Sequence, residues 1–173
     1  MMQVILVRHA ETEWNVREIL QGQSDSALTS RGKRQTSALL AAFAACDYRV
    51  ECVYASPLGR AWQMLLKHSP DAAEALFKLD AEYCPPGGES LSYASQRMMH
   101  FLYALGKKRH HQTICIVSHG HVIQGVLSIL KSGTVDDFPR YAQPNASYSV
   151  FDLIDGRCAA LRWGIATHLR LRD

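Results

Sequence analysis

The stretch Val4-Ile5-Leu6-Val7-Arg8-His9 decides how this chain is read. Four aliphatic residues in a row, most of them β-branched, show neither alternation nor a helical period, so they describe a strand buried on both faces. The run stops at Arg8-His9, where a buried strand reaches a polar rim. Residues 51–55 and 113–117 repeat the pattern, and the third run leads into Ser118-His119-Gly120.

Helices are expected between these strands. Thr29 can cap one that carries Leu39, Leu40 and Phe43 and closes at Cys46-Asp47. Ser56-Pro57 opens a second through Leu66, with proline in the first turn, where its missing N–H costs nothing. Ser90 or Ser92 caps a third running to about Lys108, with Met98, Phe101, Leu102 and Leu105 at helical spacing and Lys107, Lys108 and Arg109 at the C-terminal dipole. A fourth follows Gly120, carrying Val122, Ile123, Val126, Leu127 and Leu130. Residues 70–88, with Pro85-Pro86-Gly87-Gly88, read as a surface loop region, and closing strands are expected at 147–153 and 158–163. Alternating strand and helix predicts an α/β three-layer sandwich, with a mainly parallel central sheet and helices on both faces.

The composition bounds the rest. A chain of 173 residues, 47% of them apolar, is sized for one domain spanning 1–173. A net charge of +3 is too mild to argue for nucleic acid or an anionic membrane, and leaves small acidic ligands as the expected partners. Cys46, Cys52, Cys84, Cys115 and Cys158 form an odd set with no C-x-x-C pair, which suggests neither a disulfide framework nor a cysteine zinc site and fits a cytoplasmic protein. The start has no basic region ahead of its short apolar run, unlike a signal peptide. Residues 112–130 lack Lys, Arg, Asp and Glu but hold histidines, serines, glutamines and glycines, so they read as buried segment, not membrane span.

In open α/β sheets ligands bind beyond the carboxyl ends of the strands. Here those ends bring Arg8-His9, Ser56 with nearby Arg60, and Ser118-His119 to one rim. Guanidinium forks match phosphate oxygens and a neutral imidazole can attack phosphorus, so this set suits phosphoryl chemistry without a metal. His119 and His121 form an H-x-H pair that could bind zinc, but no further spaced ligand supports it. His121 is expected to be a rim or half-buried histidine.

Val7-Arg8-His9-Ala10-Glu11-Thr12-Glu13-Trp14-Asn15, then 21–29 with Gly32, Ser56-Pro57-Leu58-Gly59-Arg60-Ala61, Pro86-Gly87-Gly88-Glu89-Ser90 and Val117-Ser118-His119-Gly120 together resemble the histidine phosphatase superfamily, in its phosphoglycerate mutase-like branch. A weaker echo continues in Asn145-Ala146-Ser147 and Thr167-His168-Leu169. The resemblance implies that His9 accepts the phosphoryl group, that Arg8 and Arg60 clamp it and that His119 holds it in transfer. It also places Asn15, Gln21, Gly22 and Gly120 in the substrate phosphate pocket. No metal or organic cofactor is implied.

The chain departs from the family pattern in two places. Ala10 stands where glycine is usual and is expected to crowd the backbone beside the nucleophile. The stretch from Arg60 to Pro85 is short, and the family's acid/base glutamate belongs there. Glu82 is the nearest candidate, with Asp80 and Glu89 as rivals. A short cover also argues against a mutase, which must keep its phosphoenzyme dry while the substrate turns. The expected activity is therefore a phosphomonoesterase working through phospho-His9. Alternatives are a phosphoglycerate-type mutase, a phosphohistidine protein phosphatase and, in another class, a phosphate-binding module without turnover.

Overall fold

A computed structural model describes residues 1–19, 26–46, 48–55, 81–82, 84 and 88–170. The expected helix over 56–66, and most of the expected loop region over 70–88, lie outside the described residues. Strand β1 (Met2–Arg8) is the pivot of a five-stranded sheet. It pairs in parallel with β3 (Thr113–Ser118), which pairs in parallel with β2 (Val50–Ala55). On its other edge β1 meets β4 (Tyr148–Ile154), which turns back into β5 (Arg157–Ile165), both pairings antiparallel. The order β2-β3-β1-β4-β5 makes the sheet mixed: a parallel core completed by an antiparallel hairpin. Asp155 and Gly156, with φ of 49° and 78°, form the two-residue turn of that hairpin, a conformation that Asp-Gly favours.

Helices cover both faces, and the strand alternation assigns the sides. Val4 and Leu6 with Ile114 and Ile116 point one way, against Leu102 and Leu105 of α3 (Leu91–Lys108) and Ile123, Val126 and Leu127 of α4 (Gly120–Ser132). The last three side chains are at most 1% exposed, and each such burial stabilises by about 1.5–3 kcal/mol. Ile5, Val7 and Cys115 point the other way, toward Leu39 and Phe43 of α2 (Ser30–Ala45). The short α1 (Glu13–Val16) lies in the turn after β1. Two helix-spaced residues correct the sequence reading: Leu40 is 64% exposed, and Phe101 stands at the surface edge-on to Tyr54.

Capping explains the helix ends. Thr29 Oγ1 accepts from the Gly32 amide at 2.9 Å and Ser90 Oγ from the Tyr93 amide at 3.1 Å, so the choice between Ser90 and Ser92 falls to Ser90. Gly133, at φ 78°, ends α4 in the left-handed conformation. Among the described residues no helix is long and apolar enough to cross a membrane.

Two glycines mark close approaches. A Cβ on Gly32 would lie 2.0 Å from the Glu11 carbonyl oxygen, and one on Gly125 would lie 2.0 Å from Ser95 Oγ where α3 and α4 cross. Backbone cannot swing aside, whereas a serine hydroxyl turns about one bond. Gly32→Ala is therefore expected to lower the urea-unfolding free energy by about 1–3 kcal/mol, and Gly125→Ala by less. The reverse order would contradict the contact assigned to Gly32.

Candidate active site

The site follows from register. Arg8 of β1 sits opposite Ser118 of β3, so the next residue on each strand, His9 and His119, leaves the sheet beside the other. Their rings lie 5.5 Å apart at 62°. The His9 amide donates to the Ser118 carbonyl at 3.2 Å, which fixes the exit of β1. His119 caps α4 with its backbone, leaving its ring free to face the site.

His9 Nδ1 lies 2.9 Å from the Ala10 carbonyl oxygen. A ring nitrogen facing a carbonyl carries the proton, so the lone pair of the neutral ring resides on Nε2. Burial lowers the pKa of His9, the Ala10 hydrogen bond opposes this, and the Arg8 charge lowers it further. Burial pushes His119 down to about 4, with His9 adding to the shift. Both rings therefore stand neutral at pH 7. Ala10 is not among the residues of positive φ, so its backbone makes no demand for glycine, and its side chain is 9% exposed.

Arg8 runs under the start of α4. A Cβ on Gly120 would come within 3.2 Å of the guanidinium carbon and Nε, so this helix start passes the fork closely because it has no side chain. One Arg8 terminal nitrogen donates to the Gln143 carbonyl, and burial lowers the pKa of the group. Arg8 Nε and His119 Nε2 are both buried without a hydrogen-bond partner among the described residues. Such atoms cost about 1–3 kcal/mol each when left unmade, so the pocket gains from an anion that would satisfy them.

The surrounding loop is tied from three sides. Asn15 closes a capping box with Thr12, and its Oδ1 also accepts from Asn145 Nδ2 at 3.1 Å, the same nitrogen that lies 3.1 Å from the His9 carbonyl. Ala146, at φ 58°, donates to the Arg8 and His9 carbonyls, and His168 Nε2 lies 2.9 Å from the Ala146 carbonyl. Gln143 Oε1 accepts from Ser147 and Ser149. The sequence reading named Asn15 but gave no role to Asn145, Gln143 or His168; the faint likeness over 145–147 and 167–169 was the only signal for any of them. Glu11 is held by α2: its side chain accepts from Thr29 Oγ1 at 2.7 Å and its carbonyl from the Thr29 amide.

The other candidates divide. Arg60, Gln21, Gly22 and Asp80 lie outside the described residues. Glu82 stands exposed in a turn directly after Ala81. Ala81 is buried with Leu91, Val135 and Phe138, and its carbonyl accepts from the Ser92 amide. The Phe138 ring in turn lies 6.3 Å from that of His121, whose pKa is lowered by burial and then by Arg8. The turn that carries Glu82 is thereby anchored against the start of α3 and Phe138. Glu89 instead receives both Arg97 nitrogens, one at 3.2 Å, which occupies its two oxygens.

The fold and this arrangement define a class. The family model of the histidine phosphatase superfamily (branch 1) matches residues 4–67 and 63–166, and the chain belongs to that superfamily. Among its relatives, Phosphoserine phosphatase 1 of Hydrogenobacter thermophilus is 29% identical, over 98% of this chain and 95% of that protein. A Proteus mirabilis protein named "Probable phosphoglycerate mutase GpmB" is 31% identical, over 96% and 92%. A solved phosphoserine phosphatase of Entamoeba histolytica, in complex with 3-phosphoglyceric acid, superposes with a TM-score of 0.78 at 24% identity, covering 98% of this chain and all of that one; this likeness bears on the fold alone.

The pKa directions set a pH dependence. Unfolded, His119 titrates near its ordinary value of 6.5; folded, at about 4. Between these values only the unfolded chain takes up the proton, so this contribution to stability is complete above pH 6.5 and is lost as pH falls toward 4. The loss is on the order of 2–3 kcal/mol. Urea titrations at about pH 7.5 and about pH 4.5 should show it in the wild type and a smaller drop in His119→Gln; equal drops would contradict a buried neutral His119.

Proposed function

We propose that the chain is a metal-independent phosphomonoesterase, a single domain over 1–173, that hydrolyses a small phosphorylated substrate through phospho-His9. The observation that carries this reading is the pairing of a nucleophile with unmet donors. His9 presents a lone pair on Nε2, while Arg8 Nε and His119 Nε2 lie buried near it without partners among the described residues. A phosphoryl group supplies oxygens to both and a phosphorus to the third.

In the first step His9 Nε2 bonds to phosphorus as the ester P–O bond breaks, and the leaving alkoxide takes a proton from Glu82. In the second, water attacks the phosphohistidine, the N–P bond breaks, the imidazole recovers its electron pair and the Glu82 carboxylate takes the water's proton. Arg8, Arg60 and His119 bind the non-bridging oxygens, where charge builds up. Arg60 enters on its Ser-Pro-Leu-x-Arg-Ala setting, and Gln21 and Gly22 on their motif. Asn15 and Gly120 border the phosphate pocket from α1 and α4.

The phosphoserine phosphatase relative makes phosphoserine the first substrate to test. The mutase-named relative supports the second reading, phosphoryl return to a sugar acid. The short sequence between Arg60 and Pro85 supports hydrolysis, since a mutase must keep its phosphoenzyme dry while the substrate turns and little chain is available here for a cover. The five unbridged cysteines support a reducing, cytoplasmic setting.

Rapid quench with radiolabelled phosphoserine, in EDTA, should trap an acid-labile, base-stable phosphoprotein. His9→Ala should lose the label and nearly all turnover, and a fully active His9→Ala would sink the mechanism. Arg60→Ala should slow turnover by about 100- to 1,000-fold, with Arg60→Lys recovering only part. Incubation with 3-phosphoglycerate and a trace of bisphosphate separates the readings: phosphate release outpacing isomerisation is expected, and the reverse outcome assigns a mutase.

A further inference from the structure

Gln35 lies on the second turn of α2, within the stretch the family model matches but not among the residues to which the resemblance gave a role. Its Oε1 accepts from the Glu11 amide at 2.9 Å. That amide shares one peptide group with the Ala10 carbonyl, and the Ala10 oxygen lies 2.9 Å from His9 Nδ1. A peptide group is planar, with its N–H and C=O pointing in opposite directions. Fixing the N–H therefore fixes the carbonyl at the other end. We propose that Gln35 is a positioning residue for His9, acting through the Ala10–Glu11 peptide: the carboxamide oxygen holds the amide, and the amide's carbonyl holds Nδ1–H of the nucleophile.

Three consequences follow from the chemistry of such a chain. The Nδ1–H tautomer is enforced, which keeps the lone pair on Nε2. The ring is oriented about its Cβ–Cγ bond, because Nδ1 is tied to a carbonyl that cannot turn. Hydrogen bonds made at both ends of one amide polarise it, so the Ala10 oxygen accepts more strongly than an isolated carbonyl and the imidazole stays a better nucleophile. A carboxylate plays the corresponding part in serine hydrolases by holding the histidine directly; here a neutral amide relays the same demand.

The surroundings fit a built relay. Thr29 donates to the Glu11 carbonyl and side chain, and Arg31 lies 3.4 Å from the same carboxylate, so the other polar groups of Glu11 have their own partners and its amide is the one that Gln35 takes. Gly32 brings α2 against Glu11 so closely that a methyl group would not fit. The close approach at Gly32 is what lets Gln35, three residues further along α2, reach the amide.

The inference rests on the reading of His9 as nucleophile, and a readout that needs no turnover separates the two. The probe is the Nδ1–H proton of His9 in protein labelled with ¹⁵N in its imidazoles, observed by NMR and assigned by its loss in His9→Ala. In Gln35→Leu, which removes the acceptor at similar size, this proton should move upfield and exchange faster. In Gln35→Glu, which keeps an acceptor oxygen, it should stay downfield. The rate of His9 phosphorylation by phosphoserine should fall by about ten- to a hundredfold in Gln35→Leu, the range seen when outer-shell partners of metal-bound histidines are removed. It should recover in Gln35→Glu, with KM nearly constant throughout. Gln35→Met repeats the measurement should the leucine variant fold poorly. An unmoved Nδ1–H proton in the leucine or methionine variant overturns the relay, whatever the activity. A moved proton in a wild-type background that never forms phosphoenzyme supports the relay and overturns the hydrolytic reading instead.

Discussion

The parallel register between β1 and β3 is the constraint on which the rest of the molecule depends. Val4 opposite Ile114 and Leu6 opposite Ile116 place matched side chains on the α3/α4 face, while Ile5 and Cys115 meet on the α2 face. A slip by one residue would exchange the two faces along a whole strand. The same register brings Arg8 level with Ser118, so the histidines that follow come off the sheet side by side. Packing of the aliphatic side chains along the sheet thus sets the spacing of two imidazoles that lie beyond its strand ends.

That spacing carries an electrostatic cost, which the fold retains. Arg8 is the charge, and it is placed where burial lowers its pKa, with Nε unpartnered and one terminal nitrogen on the Gln143 carbonyl. The pKa of His119 is driven down and its Nε2 is left unmade. Each of these would be cheaper in water. In the proposed reaction a phosphoryl group would reverse the balance, because its oxygens would satisfy the orphaned atoms and its negative charge would offset the desolvated guanidinium. Its charge also opposes the shift on His119, so anion binding and a proton on that ring favour one another.

How much of this was legible from sequence depends on what each residue does. The described strands and the helices α2 and α3 were read nearly to the residue, because buried runs such as 4–7 and caps such as Thr29 and Ser90 act locally, whereas the one-turn α1 was not read. His9, Arg8 and His119 were legible because strand ends meet at one rim. The antiparallel hairpin of β4 and β5 was read as strands, but its direction was not, since Asp155-Gly156 was not singled out as a turn. Leu40 and Phe101 were misplaced because helical spacing names a face without saying how wide the covered stripe is. Asn145, Ala146 and His168 gave no local signal. Their partners lie more than a hundred residues away in the first case and about twenty in the last, and only the closed sheet brings them together.

The way those late residues reach His9 shows how a residue just beyond a strand end is made rigid. Three successive peptide groups run through it, and each is fixed by a different element. The Arg8–His9 amide is held by Ser118 of β3 and the His9–Ala10 carbonyl by Asn145 and Ala146 ahead of β4, while the Ala10–Glu11 amide is held by Gln35 of α2. No single element could do this, because neighbouring peptide planes in a turn point in different directions. Ala146 adopts a left-handed φ of 58°, disfavoured for a residue with a side chain, and its strain is retained because its amide and carbonyl are both engaged, the latter by His168. The cost sits one shell away from the chemistry. His9 itself is left with its flanking peptide groups held, one ring nitrogen satisfied and the lone pair on the other.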